Sequence, residues 1–351
     1  MKASRIWLLT FGLGFLALEA LLVLALTSPV PYGDLSRIGQ VSERQFGWTT
    51  PQPHVAPELL RAAPVRQADV LVIGDSFSAG HRWQSVLTGS GLRVATIAWG
   101  DIGGRLCSDF DQWLSQTGFR GKWVVIESVE RSFGGYLQRS ASCRKMKPVP
   151  AAEWPIEPTP QHEQPPEAGL NWNATLATGW YSLMRTQRAQ RMVPSEHDTD
   201  IGPQVRARVV DDGCAMFSNR LCNKPLFFRD DDLAIELSPA QVPQMQAFTR
   251  AHASVAIVWM IVPNKTTTYI DPMHGRSFAL ALNQAGLGPD LFAWTQQHKR
   301  KVRDFYLPND THLSLQGQLL LGQRMLQAIR EREKATAPPV RTDAGGGSNG
   351  D

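Results

Sequence analysis

Four short, nearly unbroken apolar runs limit what this chain can fold into: Val70–Ile73, Arg93–Ala98 ("RVATIA"), Trp123–Val129 ("WVVIESV") and Ser254–Val262 ("SVAIVWMIV"). A strand with one wet face alternates apolar and polar residues. Runs without that alternation belong to strands buried on both faces, as in a parallel sheet. Helical stretches lie between them: "HRWQSVLTG" after the first, "SDFDQWLSQTG" after the second with Ser108 as its N-cap, and "SPAQVPQMQAFTRAHA" before the fourth, capped by Ser238. A fifth strand is expected over Val302–Leu307. "SLQGQLLLGQRMLQAIRERE" then closes the domain as an amphipathic helix, with Leu315, Leu319, Leu320, Met325 and Ile329 on one face. Strand and helix in alternation imply right-handed crossovers, so residues 68–333 read as an α/β domain, a three-layer α/β/α sandwich around a mostly parallel sheet.

The N-terminus adds a second constraint. Lys2 and Arg5 precede an apolar run from Ile6 to Leu26, long enough to cross a bilayer with the basic end cytoplasmic and everything after Thr27 exported. The run exceeds the apolar core of a signal peptide and no Ala-x-Ala site follows, so residues 1–27 read as an uncleaved transmembrane anchor, with a cleaved signal peptide as the alternative. Glu19, mid-run, costs about 2.5–3.5 kcal/mol if charged and is expected to be protonated or to face a partner helix. Residues 28–67, punctuated by Pro and Gly, form a juxtamembrane arm.

Residues 132–237 interrupt the strand–helix rhythm and read as an insertion on the functional edge of the sheet, a plain spacer being the alternative. Its centre, "KPVPAAEWPIEPTPQHEQPPEAG", suits no regular structure, while "LNWNATLATGWYSLMRTQRAQ" suits an amphipathic helix. The tail 334–351 cannot bury enough apolar surface to order itself. Export makes the four cysteines candidates for disulfides. Four cysteines allow three pairings; Cys214 and Cys222, flanking "AMFSNRL", are spaced to close a small loop, which would leave Cys107 with Cys143, but the spacing does not choose among the three. With no Cys-x-x-Cys and no histidine at ligand spacing, no metal site is expected. A net charge of +4, scattered along the chain, gives no basic stripe and so no case for nucleic acid.

In an α/β sheet, ligands bind beyond the carboxyl ends of the strands. Gly74-Asp75-Ser76 sits at such an end. Gly74 permits a tight turn, and Ser76 at a helix N-terminus gains amide donors and the positive dipole end, although Asp and Ser are also ordinary helix caps. A serine nucleophile needs a base, and the base needs an orienting acid. "DFYLPNDTHLSLQG" supplies Asp310 and His312 just before the last helix, on the same edge.

Together, "VLVIGDSFS", the glycine-bearing turn "AWGDIGG" and an Asp/His pair before the C-terminal helix resemble the SGNH (GDSL-type) hydrolases, whose fold is flavodoxin-like. "VVIESVER", "IVPNKTTTY" and the Asp-x-His form "DTH" are similar to the alginate O-acetyltransferase-like branch. The likeness covers residues 68–131 and 254–330. It implies Ser76 as nucleophile, His312 as base and Asp310 as orienting acid, with Asn309 the alternative orienting group. It also implies an oxyanion hole from the amides of Ser76 and of Gly103 or Gly104. Asp75, Arg131 and Lys265 are supporting candidates. The asparagine of the family's third block is missing; Glu127, Val129, Glu130 and Arg131 stand there. Glu127 and Arg131 suit a buried ion pair, and Lys265 with Tyr269 either substrate contact or packing. Eleven tryptophans, Trp83, Trp99, Trp172 and Trp180 among them, offer platforms for sugar rings. The sequon "NDT" at Asn309, like those at Asn173 and Asn264, points to a bacterial export route without glycosylation.

The expected function is thus an inner-membrane-anchored, periplasmic serine esterase or acyltransferase acting on O-acyl groups, most simply acetyl on a polysaccharide, needing no cofactor. Transfer would require a multi-span membrane acyltransferase as donor partner. The rivals are a lipase or thioesterase of the same superfamily and a catalytically silent scaffold in polysaccharide assembly.

Overall fold

The computed structural model describes residues 3–26, 30–149, 164–165, 171, 173–193, 196–202 and 204–336. Most of the proline-rich centre of the insertion, Trp172, and the tail beyond Thr336 lie outside these residues.

The apolar runs form a four-stranded parallel sheet of β1 (Val70–Gly74), β2 (Val94–Ala98), β3 (Trp123–Val129) and, after the insertion, β7 (Ala256–Val262). Their spatial order is β2-β1-β3-β7, with Val70 level with Val94 and Trp123, and Trp123 level with Ala256. Both faces are buried, as the lack of alternation requires. Leu71, Ile73, Ile97, Val124, Ile126, Ile257, Trp259 and Ile261 enter one apolar cluster, with Phe110, Trp113, Phe133 and Phe278. Val70, Val72, Val94, Val125, Val258, Met260 and Val262 enter another, with Leu87, Leu291, Leu321, Met325 and Ile329. Each such side chain removed from water stabilises the fold by about 1.5–3 kcal/mol before entropy is counted.

Chain order reverses direction between β1 and β3, because β2 lies on one side of β1 while β3 and β7 lie on the other. Loops leaving β1 and β3 diverge there, opening a crevice at their carboxyl ends.

The insertion contains an amphipathic helix, Leu176–Arg191, and a second, antiparallel sheet of β4 (Asp198–Gly202), β5 (Val205–Arg208) and β6 (Leu226–Phe228). Residues 30–67 are not a free linker. They carry helices Asp34–Gly39 and Glu43–Phe46, and Leu35, Val41 and Phe46 pack with Ala189, Ile201, Val205 and Leu226. Helix Ala3–Leu26 runs beside helix Leu176–Arg191, its side chains to Val23 exposed, and is long and apolar enough to cross a membrane.

Two local expectations fail. Val302–Leu307 forms no strand: Phe305 and Tyr306 are buried, but the segment contributes one antiparallel bridge, Tyr306 to Leu313. Apolar burial was mistaken for a ladder. Helix Phe110–Thr117 begins after Asp109, and the Ser108 hydroxyl turns instead to the carbonyl of Arg144. Ser238 does cap its helical segment, in a box with Gln241.

The disulfides are Cys107–Cys143 and Cys214–Cys222, separated by 36 and 8 residues. Closure entropy grows with loop length, so replacing the first pair by serine is expected to cost about 4 kcal/mol and the second about 2.5 kcal/mol. Denaturant melts of the two double variants check the order.

Candidate active site

β1 ends at Gly74 because no side chain fits there: a Cβ would come within 2.5 Å of the Ser78 side chain and 2.8 Å of Glu127 Oε2. The chain turns into a one-turn helix, Ser76–Ala79, capped by Asp75, whose Oδ1 accepts from the Phe77 amide at 3.0 Å. Asp75 Oδ2 accepts from the Val129 amide at 2.7 Å, tying the turn to the end of β3. Glu127, completely buried beneath the turn, accepts from the Asp75 amide at 2.9 Å and the Ser78 hydroxyl at 2.7 Å. Burial, then the nearby Asp75 carboxylate, pushes the Glu127 carboxyl well above the ordinary range. Ser76 is thereby presented at the crevice between β1 and β3.

His312 arrives from the far end of the chain. Its Nε2 lies 2.7 Å from Ser76 Oγ, and its Nδ1 lies 2.7 Å from Asp310 Oδ1. Nδ1–H donating to the carboxylate leaves Nε2 free to accept the serine proton. Burial disfavours the imidazolium, but the Asp310 charge and hydrogen bond outweigh it, and the His312 pKa rises above its usual value. Burial alone would also raise Asp310. The facing His312 and hydrogen bonds from it and from the Asp34 amide hold the carboxyl far below its usual range instead. Phe77 packs at 4.7 Å on the imidazole, which stays about one-fifth exposed (21%).

The loop presenting Asp310 is clamped by Lys265. Its buried Nζ donates to the carbonyls of Leu307 at 2.6 Å, Pro308 at 2.9 Å and Asp310 at 3.3 Å, and burial pulls its pKa down to about 7. Lys265 is therefore a positioning residue. Asn309 points away from His312: its Nδ2 bonds Glu43 Oε1 and Ser36 Oγ, and its carbonyl accepts from the amides of Leu35 and Ser36. Asp310, not Asn309, meets the His312 ring, and Asn309 docks the N-terminal arm.

Through that docking the arm enters the site, which the sequence did not reveal. Asp34 accepts from the Thr311 amide at 2.8 Å and its hydroxyl, and lies 3.7 Å from His312 Nδ1. Burial, then Asp310, raises Asp34 to about 6. Asp34, Asp310 and His312 each bring a ligand-type atom within 4.8 Å of the others, a cation-sized group. Here Nδ1 is engaged by Asp310 and the Asp34 oxygens by Thr311. The cleft measures about 260 Å³ and is lined by Ser76, His312, Tyr32, Asp34, Arg37 and Arg82, among others. A larger cavity of about 790 Å³ between Leu176–Arg191 and β4 holds no nucleophile–base pair among its lining residues.

Several expected residues are not brought to the cleft. The Gly103 and Gly104 amides donate to the carbonyls of Gly100 and Trp99 inside their own turn, and neither glycine lines the cleft. Of the expected oxyanion donors only the Ser76 amide, which has no acceptor among the described residues, remains available. Arg131 does not pair with Glu127. It meets buried Asp231 at 3.3 Å, which accepts from the Thr266 hydroxyl at 2.8 Å. Tyr269 is buried against Phe217 and Tyr306. Trp83 and Trp99 are buried, and only Trp180 of the described candidate platforms is exposed.

Compared with protein-family models, with curated proteins and with solved structures, the chain matches none.

Replacing Lys265 by Met leaves three carbonyls without their donor. A stability loss of about 2–4 kcal/mol is expected, with slower modification of the Ser76 hydroxyl. Thermal melts and timed labelling of the variant read both.

Proposed function

We propose that the chain is a serine-dependent O-acyl esterase or acyltransferase. The observation that carries the reading is the continuous Ser76–His312–Asp310 relay, with 2.7 Å at each link, at the switch point of a parallel sheet. Packing does not require a hydroxyl, an imidazole and a buried carboxylate from opposite ends of the chain to align at a solvent-open cleft. His312 Nε2 takes the Ser76 proton as Oγ attacks an ester carbonyl, and the Ser76 amide donates to the oxyanion. His312 then protonates the leaving alcohol, and water or a sugar hydroxyl resolves the acyl-enzyme by the reverse path.

The resemblance to SGNH hydrolases supports an O-acetyl group on an envelope or secreted polysaccharide as the substrate, and a three-layer α/β/α sandwich as the architecture. The apolar N-terminal helix and two disulfides support an inner-membrane anchor with the domain in the periplasm. If the reaction is transfer, a multi-span membrane acyltransferase supplies the acyl group. A lipase or thioesterase is disfavoured by a cleft lined with Asp34, Arg37, Arg82 and Tyr32. The silent-scaffold reading draws on one observation, the engaged amides of Gly103 and Gly104.

A fluorophosphonate probe is expected to label Ser76, with labelling lost in Ser76→Ala along with on the order of 10⁴- to 10⁶-fold of esterase activity. An unlabelled wild-type chain with intact fold would establish the scaffold instead. The base must be neutral to act, and Asp310 raises the His312 pKa, so kcat/KM should climb through an acid limb above the ordinary imidazole value of about 6.5. In Asp310→Asn the limb should move to lower pH while the rate falls on the order of 10⁴-fold, measured as a pH–rate profile on a chromogenic ester.

A further inference from the structure

We infer that this cleft is built for a substrate carrying an anionic oxygen group, a carboxylate or a phosphate, close to the ester, with Arg82 as its receptor; the inference rests on the esterase reading above.

The two carboxylates of the cleft are already engaged, while an arginine donor is not. Asp310 is committed to His312 and the Asp34 amide, and Asp34 to Thr311. Arg82 is different. Its Nε is buried with no acceptor, and no carboxylate lies within ion-pairing distance of its guanidinium among the described residues. Its side chain lies across Gly80, where a Cβ would come 3.2 Å from Nε, on the same segment that carries Ser76.

Arg82 also lines a second, smaller cavity of about 70 Å³, next to the cleft, with Tyr32, Trp48, Gln52, Leu307 and Asp310. That volume admits a carboxylate or phosphate group. Arg82 is only partly buried, but its buried Nε–H is left without an acceptor, and the planar fork of the guanidinium fits both kinds of oxyanion. Arg37, exposed at the rim and without a side-chain hydrogen bond, adds a second positive charge. Gln318, also lining the cleft, buries an unpartnered Oε1 that can accept from a sugar hydroxyl beside the anion.

The test measures binding rather than turnover, so it does not depend on the chemistry. Full-length Ser76→Ala chain in detergent is titrated calorimetrically with tetragalacturonate, glucose 1-phosphate and neutral maltotetraose. At least one anionic probe is expected to bind about tenfold or more tighter than maltotetraose. The advantage should shrink from 50 to 500 mM salt and disappear in Arg82→Gln, while Arg82→Lys keeps part of it. A preference for tetragalacturonate assigns a carboxylate, and one for glucose 1-phosphate a phosphate. Equal binding of all three, or a preference that survives Arg82→Gln, overturns the inference. If Arg82→Gln melts early, Arg37→Gln at the exposed rim replaces it and should lower the anionic preference several-fold; no change there counts against the inference. Fluorophosphonate labelling of the wild type reports separately on the esterase reading: labelled protein without anion preference refutes this inference alone.

Discussion

One buried lysine side chain holds the Ser76–His312–Asp310 arrangement in register. Lys265 has no carboxylate within ion-pair range among the described residues; its charge is met by three carbonyls of the loop 307–310 and by the faces of Phe217 and Phe227. A buried charge so compensated strongly favours the one loop conformation that supplies all its acceptors. That loop sets Asp310 and, two residues on, His312. The lysine follows directly on the loop after β7, so the sheet fixes the far end of the relay through it, as β1 fixes the near end through Gly74.

The acids of the site are sorted by environment. Glu127 under the nucleophile turn, Glu130 beside Asn264 and Thr267, and Glu43 in the arm are buried with few positive neighbours, and burial raises all three, the last two to about 7. All three are shifted toward the protonated form, whereas Asp310, facing His312, is shifted toward the ionised one. Burial dominates for the three glutamates, while the close His312 ring and three hydrogen bonds outweigh it for Asp310.

Much of this was legible in the chain. The unalternating runs pointed to the parallel sheet, the even number of cysteines to disulfides, and Gly-Asp-Ser with Asp-Thr-His to the three groups that meet. What escaped has a physical reason in each case. The segment Val302–Leu307 is as apolar as a strand, but burial of Phe305 and Tyr306 needs no ladder partner. Arg131 had an acid four residues before it, yet its partner is Asp231, brought near by the fold from 100 residues away. Asp34 and Asp310 are 276 residues apart, and nothing local in a Pro- and Gly-punctuated arm announces that it will line a cleft. Arg82 lies within the helical stretch "HRWQSVLTG", where nothing local marks its Nε as an atom that will lack an acceptor.

The arm's position carries one more consequence. Six steps of chain separate Leu26, the end of the apolar helix, from Tyr32 in the cleft wall. Even fully extended they reach only about 22 Å. With that helix seated in a bilayer, chemistry would be confined to a shell roughly as deep as the headgroup region plus a few water layers. So short a tether fixes how far the cleft can ever stand from the end of the apolar helix, whatever surrounds that helix.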